Sequence, residues 1–220
     1  MTDIDRRPPP ALSRVRRVLA FEHGLYRSLF RWLTRRPGVP GAGVEAFGYA
    51  TTVTPLLWVW IALSAVELPF FHLLIPWQTA RIVAFVLGVW GLIWMIGLLA
   101  SLKIHPHLVS DSALRVRNGT TIDLPIAWDA VATIAFHRLD LPSSRTLQRT
   151  QTDAGTDLQV GVSGQVNVHL TLRHPLSVST PQGSESITGL RFWADDPRAL
   201  VTRVRHHVTS ALADRDQRGG

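Results

Sequence analysis

The sequence predicts an α+β membrane protein: a transmembrane helical hairpin, then an antiparallel β domain closed by a C-terminal helix. Three observations predict it. Between Glu45 and Glu67 lie 21 residues without a charge, and between Arg81 and Lys103 another 21, each long enough to cross about 30 Å of hydrocarbon as a helix. After Lys103 apolar residues recur at every second position between turn residues, the period of half-buried strands. Beyond Asp195-Asp196-Pro197 the period becomes helical, with Leu200, Val204, Val208 and Leu212 on one stripe.

The chain of 220 residues has room for one ordinary soluble domain and a small membrane portion. Hydrophobic residues make up 46% and charged ones 18%, with eight tryptophans, a balance that favours a membrane protein over a soluble enzyme. Cysteine is absent, which excludes disulfides, thiolate nucleophiles and cysteine-ligated zinc. The net charge of +7 is carried almost entirely by arginine, and nine arginines fall in the first 36 residues. Basicity concentrated beside apolar segments reads as topology and attraction to anionic lipids; nucleic acid, whose phosphates respond to the same charge, is the weaker reading.

Residues 1–11, with Pro8, Pro9 and Pro10, read as a disordered lead-in. Residues 12–43 read as a basic amphipathic helix and a linker. Leu12, Val15, Leu19, Tyr26, Leu29 and Leu33 form the apolar stripe, while Arg14, Arg17, Arg27 and Arg31 project elsewhere and Arg35 and Arg36 open the Pro/Gly-rich linker. These six arginines are the candidate membrane-surface residues. Glu22, His23, Arg27 and Arg31 interrupt any apolar core, which argues against a signal peptide.

Residues 44–103 hold the two transmembrane helices, at about 46–68 and 80–102. Twelve Leu, Ile, Val or Phe residues in the second run favour insertion by at most about 4–7 kcal/mol. The first frame is looser, because Thr51, Thr52, Thr54 and Pro55 weaken its start and apolar residues continue past Pro69; a helix from Thr54 to Ile75 is the alternative, which carries Glu67 deeper. Arginines and Lys103 flank the outer ends of the pair while residues 68–80 have no positive charge, so both termini are expected on the cytoplasmic side of the cell membrane. Glu67 then stands level with Arg81, and Glu45 with Lys103, giving two candidate interhelical ion pairs. Ala84, Gly88, Gly91 and Gly97 allow close helix approach, on the first helix or on a second copy.

Residues 105–213 read as about seven short antiparallel strands and one helix, with 214–220 as a tail. Runs around Leu114, Ile122, Ile134, Leu158, Val166, Leu176 and Ser186–Ala194 alternate between turns such as Asn118-Gly119 and Ser163-Gly164, and residues 142–155 read as a loop. Asp196 is placed to cap the last helix, with Pro197 in its first turn.

The segments LRVRNG, IDLPIAWDAVATI and ADDPRALVTRV resemble bacterial PH-like domains, which implies a PH-like antiparallel β-barrel or sandwich. Together with LYRSLFRWLTRRP and VWGLIWMIGLLASLKIHPH they make nearly the whole chain resemble a family of two-pass actinobacterial membrane proteins. The resemblance implies a fold and a location. No reaction or ligand comes with it, so no functional residue is carried over.

No nucleophile elbow, phosphate-binding glycine loop or metalloprotease helix motif is present, so neither catalysis nor a cofactor is expected. His105 and His107 flank Pro106 without a third ligand and read as a helix-to-sheet junction rather than a metal site; His206 and His207 read as solvated surface. Arg115 and Arg117 alternate on one strand without a dense basic cluster after them. The expected role is a membrane-anchored interaction module, with the lipid bilayer, anionic inner-leaflet lipids, an unidentified protein or a second copy as partners. A small transporter or channel subunit using Glu67 and an arginine-rich nucleic-acid or anionic-lipid binder are the alternatives.

Overall fold

The computed structural model describes residues 10–34 and 43–219, apart from the side chains of residues 10–17, 71–72 and 212–219. Within them the chain is α+β. Helix α1 (Pro10–Leu33) precedes strand β1 (Glu45–Phe47), and helices α2 (Thr54–Leu74) and α3 (Gln78–Ile104) fold back on each other. Strands β2 (His107–Val109), β3 (Ala113–Asn118), β4 (Ile122–Ala127), β5 (Val131–Asp140), β6 (Leu147–Thr152), β7 (Gly155–Val160), β8 (Gln165–Thr180) and β9 (Gly183–Phe192) follow, and α4 (Pro197–Gly219) closes the chain. The expected lead-in up to residue 9, the linker arginines Arg35 and Arg36, and the side chains of Arg14, Arg17 and Leu212 lie outside the described residues.

Two sheets form, in the orders β1-β2-β3-β4 and β5-β8-β9-β7-β6. Ile122, Leu124 and Ile126 of β4 point inward against Leu114 and Val116 of β3, and the second sheet contributes Leu158, Val168, Leu170, Ile187, Leu190 and Phe192 to the same core. Leu200, Val201 and Val204 of α4 cover it, with Trp128 stacked on His207 of that helix at 5.2 Å. Pro125 is tolerated because β4 is an edge strand, where a missing N–H breaks no second ladder. Ser163 and Gly164, with φ of 52° and 75°, make the tight turn expected at that dipeptide, closed by reciprocal bonds of 3.0 Å between Val162 and Gln165. Asp196 caps α4 by accepting the Ala199 N–H at 3.0 Å.

Four expectations are corrected. Nine strands stand where seven were expected, and β7 pairs with β9 in parallel, with Asp157 opposite Gly189. The expected loop at 142–155 contains β6, and the expected tail belongs to α4 through Gly219. Leu176 and Val178 do not form a separate strand; β8 continues through them past a register break between Thr171 and Leu176. The first long helix takes the alternative frame: it begins at Thr54, while residues 45–47 join the sheet as β1 and Tyr49 and Ala50 are buried at its foot.

Helix α3 is long and apolar enough to cross a membrane, with 11% of its most apolar window buried; the apolar stretch of α2, Thr54–Phe70, is shorter. A Cβ on Gly88 would lie 2.5 Å from Leu68 Cδ2, and one on Gly97 3.0 Å from Leu25 Cγ, whereas Gly91 has open space. The small residues thus serve two neighbours, α2 at Gly88 and α1 at Gly97. Replacing Gly97 by Leu is expected to lift α1 off α3 at a cost of about 1–3 kcal/mol, seen as faster limited proteolysis within α1, while Gly91→Ala leaves the pattern unchanged.

Candidate functional site at the helix–domain junction

Helix α1 crosses α3 and reaches the β3–β4 turn. Leu25 is fully buried and Ser28 nearly so, Phe21 lies against Trp94 at 6.3 Å, and the Trp90 indole N–H donates to the Tyr26 hydroxyl at 2.8 Å. Gly24 is needed where it stands: a Cβ there would come within 3.1 Å of Thr120 in the turn. The apolar stripe expected for α1 therefore divides. Tyr26 of that stripe docks inward beside Leu25 and Phe21, which lie outside it, while Leu19 and Leu33 of the stripe, with Val18 and Phe30, stay exposed.

The segment after β1 is fastened beneath α3. The Asp195 N–H donates to the Gly48 carbonyl at 2.8 Å, and its carboxylate accepts the Thr51 hydroxyl at 2.7 Å. Tyr49 is buried and its hydroxyl accepts the Gly119 N–H at 2.6 Å; burial pushes the phenol up to about 12. His107 lies 5.0 Å from the Tyr49 ring, fully buried. Its Nε2 donates to the Trp193 carbonyl at 2.8 Å and its Nδ1 accepts the Arg117 N–H at 3.1 Å, which fixes the tautomer. Burial drives its pKa down to about 4, so the ring is neutral at physiological pH. With both nitrogens committed to backbone, His107 has no lone pair for a metal, and His105 spends Nδ1 on the Ser101 carbonyl at 2.9 Å.

Between α1 and the β3–β4 turn lies a cavity of about 310 Å³, into which Arg27, Arg31, Arg117, His105 and Thr120 converge. Its one carboxylate, Asp123, is held by Arg115 at 2.6 and 3.1 Å. Among the described residues the guanidinium groups of Arg27, Arg31 and Arg117 make no hydrogen bond or ion pair. Burial presses Arg117 below the ordinary arginine value, and although Asp123 opposes this, Arg115 and Arg31 add to it. His105 is lowered by burial first and then, against its bond to Ser101, by Arg117 and Arg31. A second cavity of about 280 Å³, lined by Tyr49, Val53, Leu57, Leu98 and Leu102 among others, has no charged side chain in its wall.

The expected ion pairs do not form. Glu45 lies on β1 and pairs with Arg203 of α4 at 2.8 Å, because the sheet carries it away from Lys103, which is exposed on the last turn of α3. Glu67 is exposed on α2 and, among the described residues, makes no ion pair with Arg81; the shifted helix frame places it about two turns before the end rather than at it. Of the six arginines singled out from the sequence, Arg27 and Arg31 reach the cavity. Sequence reasoning missed their convergence with Arg117. The spacing of Arg27 and Arg31 by four residues signals one helix face, but nothing local connects that face to β3.

Comparisons with protein-family models, with curated proteins and with solved structures find no match for this chain. The functional reading therefore rests on its own residues.

Proposed function

We propose that the protein is a membrane-anchored interaction module: α2 and α3 cross the bilayer as a hairpin, α1 lies at the inner interface, and the β domain with its closing helix sits at the cytoplasmic surface. One observation carries this reading. Apart from Glu67 and the terminal Arg81 and Lys103 the two helices are apolar, yet mostly uncovered: α3 buries 11% of its most apolar window, and Leu73 and Trp77 at the hairpin tip are 79% and 74% exposed. A core helix of a soluble protein is buried, and an apolar surface of this extent in water marks a membrane or partner contact. The 21 residues of α2 rise about 32 Å, matched to the hydrocarbon core, and the 27 of α3 about 40 Å, so its last turns emerge toward the domain. The outward Leu19, Phe30 and Leu33 of α1 suit an interfacial helix. Docking at Leu25 and Asp195 holds the domain close to the lipid surface, where confinement raises the effective concentration of any membrane partner.

Alkaline carbonate extraction of membranes, with reporters fused to each terminus, tests the reading. Retention in the pellet with both reporters cytoplasmic is the expected result; release into the supernatant, or reporters on opposite faces, ends it.

The frame of α2 also favours attention to Glu67, an exposed carboxylate in an apolar helix that makes no ion pair among the described residues. Such a group is costly in lipid. Glu67→Gln is therefore expected to stabilise the detergent-solubilised chain by about 1–2 kcal/mol, below the cost of about 2.5–3.5 kcal/mol for a charge at mid-membrane, measured by thermal unfolding. A loss of stability instead would indicate a partner for this carboxylate and favour the transport reading.

A further inference from the structure

We propose that the cavity between α1 and the β3–β4 turn is a binding site for a phosphate group, with Arg27, Arg31 and Arg117 as its ligands and Thr120 and His105 at its rim. Three observations converge on it. Three arginines from two separate modules line one cavity, and among the described residues none of their guanidinium groups is spent on the protein itself. Arg115, the neighbouring arginine that is spent, neutralises Asp123, so the wall keeps a net positive charge. The approach is built tightly: Gly24 lets α1 come down on Thr120, Leu25 packs on Gly97, and the Tyr49 hydroxyl holds Gly119 from below. A folded chain that brings like charges together in a half-buried place stores repulsion that an anion relieves. The planar forks of arginine match carboxylate and phosphate oxygens alike, and three of them offer more donors than the two oxygens of one carboxylate take up, so the chemistry selected is a phosphate.

The volume of about 310 Å³ stands at the lower end of ligand cavities and suits a headgroup-sized molecule. Its position beside the interfacial helix makes the headgroup of an anionic inner-leaflet lipid the nearest source. That source rests on the membrane reading above; the phosphate chemistry does not. A free phosphate compound would meet the same three arginines.

The experiment uses the purified full chain in two settings. In non-ionic detergent without phospholipid, inorganic phosphate is titrated and tryptophan fluorescence is followed, since Trp90 and Trp94 contact α1. In phosphatidylcholine nanodiscs carrying a minority of phosphatidylglycerol, native mass spectrometry reads which lipid stays bound after exchange into phosphatidylcholine. Saturable binding in either setting is expected to weaken about tenfold or more for each of Arg27→Gln, Arg31→Gln and Arg117→Gln, the loss of one charge-assisted bond. Arg117→Lys is expected to retain part of it, and Arg145→Gln, an exposed arginine on another loop, all of it. Retention of phosphatidylglycerol assigns the lipid headgroup as source, and binding of inorganic phosphate alone assigns a free phosphate compound; both sustain the site, and the second does so even if carbonate extraction defeats the membrane reading.

Folding is controlled in the same samples. Because Arg31 and Arg115 repel Arg117, Arg117→Gln is expected to unfold at the same temperature as wild type or higher in the absence of anion, while losing the stabilisation that anion gives. Equal binding by wild type and the triple Arg27→Gln, Arg31→Gln, Arg117→Gln variant overturns the proposal. So does a triple variant that is less stable than wild type without any ligand, which assigns the arginines a structural role.

Discussion

Acidification from pH 7 to pH 4 is expected to remove about 3 kcal/mol of stability through His107 alone. The ring is fully buried between Tyr49 and Phe192, at 5.0 and 5.1 Å, and both nitrogens are tied to backbone atoms of Trp193 and Arg117. Protonation would add a charge in that place and cost Nδ1 its role as acceptor, which is why burial brings the pKa from 6.5 to about 4. The unfolded chain, by contrast, binds the proton at the ordinary value. A base held below its unfolded pKa contributes stability that is whole above about 6.5 and is lost as pH falls from there to about 4, and a gap of that size corresponds to about 3 kcal/mol. Asp195 facing the ring narrows the gap and Arg117 widens it. Burial also lowers His105, His169 and His207, so their contributions run in the same direction, smaller because each is more exposed. Urea unfolding in detergent at a series of pH values measures the effect. His107→Gln, which offers an acceptor and a donor at similar reach without a proton to gain, is expected to flatten the acid limb. An unchanged slope in that variant would remove His107 as its cause.

The ladder from Leu114 to Ile126, the turn at Ser163-Gly164 and the cap at Asp196 were all legible in the sequence because each is set by near neighbours: alternation, a positive φ, a side chain reaching three residues on. What escaped is non-local or featureless. Strand β1 has three residues and finds its partner β2 across both long helices, so no period announces it. Strand β6, Leu-Gln-Arg-Thr-Gln-Thr, lies at a sheet edge where only Leu147 packs on the core, and alternation vanishes along the rest of it. Absence of charge does not mark the start of α2, because residues 45–47 pair as β1 and Tyr49 and Ala50 are buried in the junction before the helix begins. The cavity was half legible. Arg27 and Arg31 declare a basic helix face, but Arg117 joins them only after Leu25 meets Gly97 and Gly24 meets Thr120, contacts between segments some 70 to 100 residues apart.

Asp157→Asn is expected to cost about 3 kcal/mol, through a cluster on the face of the second sheet that the core does not use. In the parallel pairing Asp157 stands opposite Gly189, and the missing side chain there leaves the notch in which the carboxylate lies; a Cβ at Gly189 would overlap Asp157 Oδ1. From the notch Oδ2 accepts the Arg191 Nε–H at 3.0 Å and lies 3.3 Å from His169 Nε2, with Arg191 and His169 themselves paired across β8 and β9. The Asp157 and Arg191 side chains are 6% and 16% exposed, so water cannot replace the lost charge, and an amide leaves the guanidinium buried without a counter-charge. Urea unfolding of the single variant reads the loss. Three comparisons separate the charge from the shape of the site. Asp157→Leu with Arg191→Met, which removes both charges, is expected to recover most of the stability, because two desolvated ions offset little more than their own burial cost. Gly189→Ala is expected to destabilise by expelling the same carboxylate, and its effect should fall well short of additive with Asp157→Asn, since one event cannot be lost twice. Full additivity would show that Gly189 and Asp157 act separately and that the notch is incidental to the ion pair.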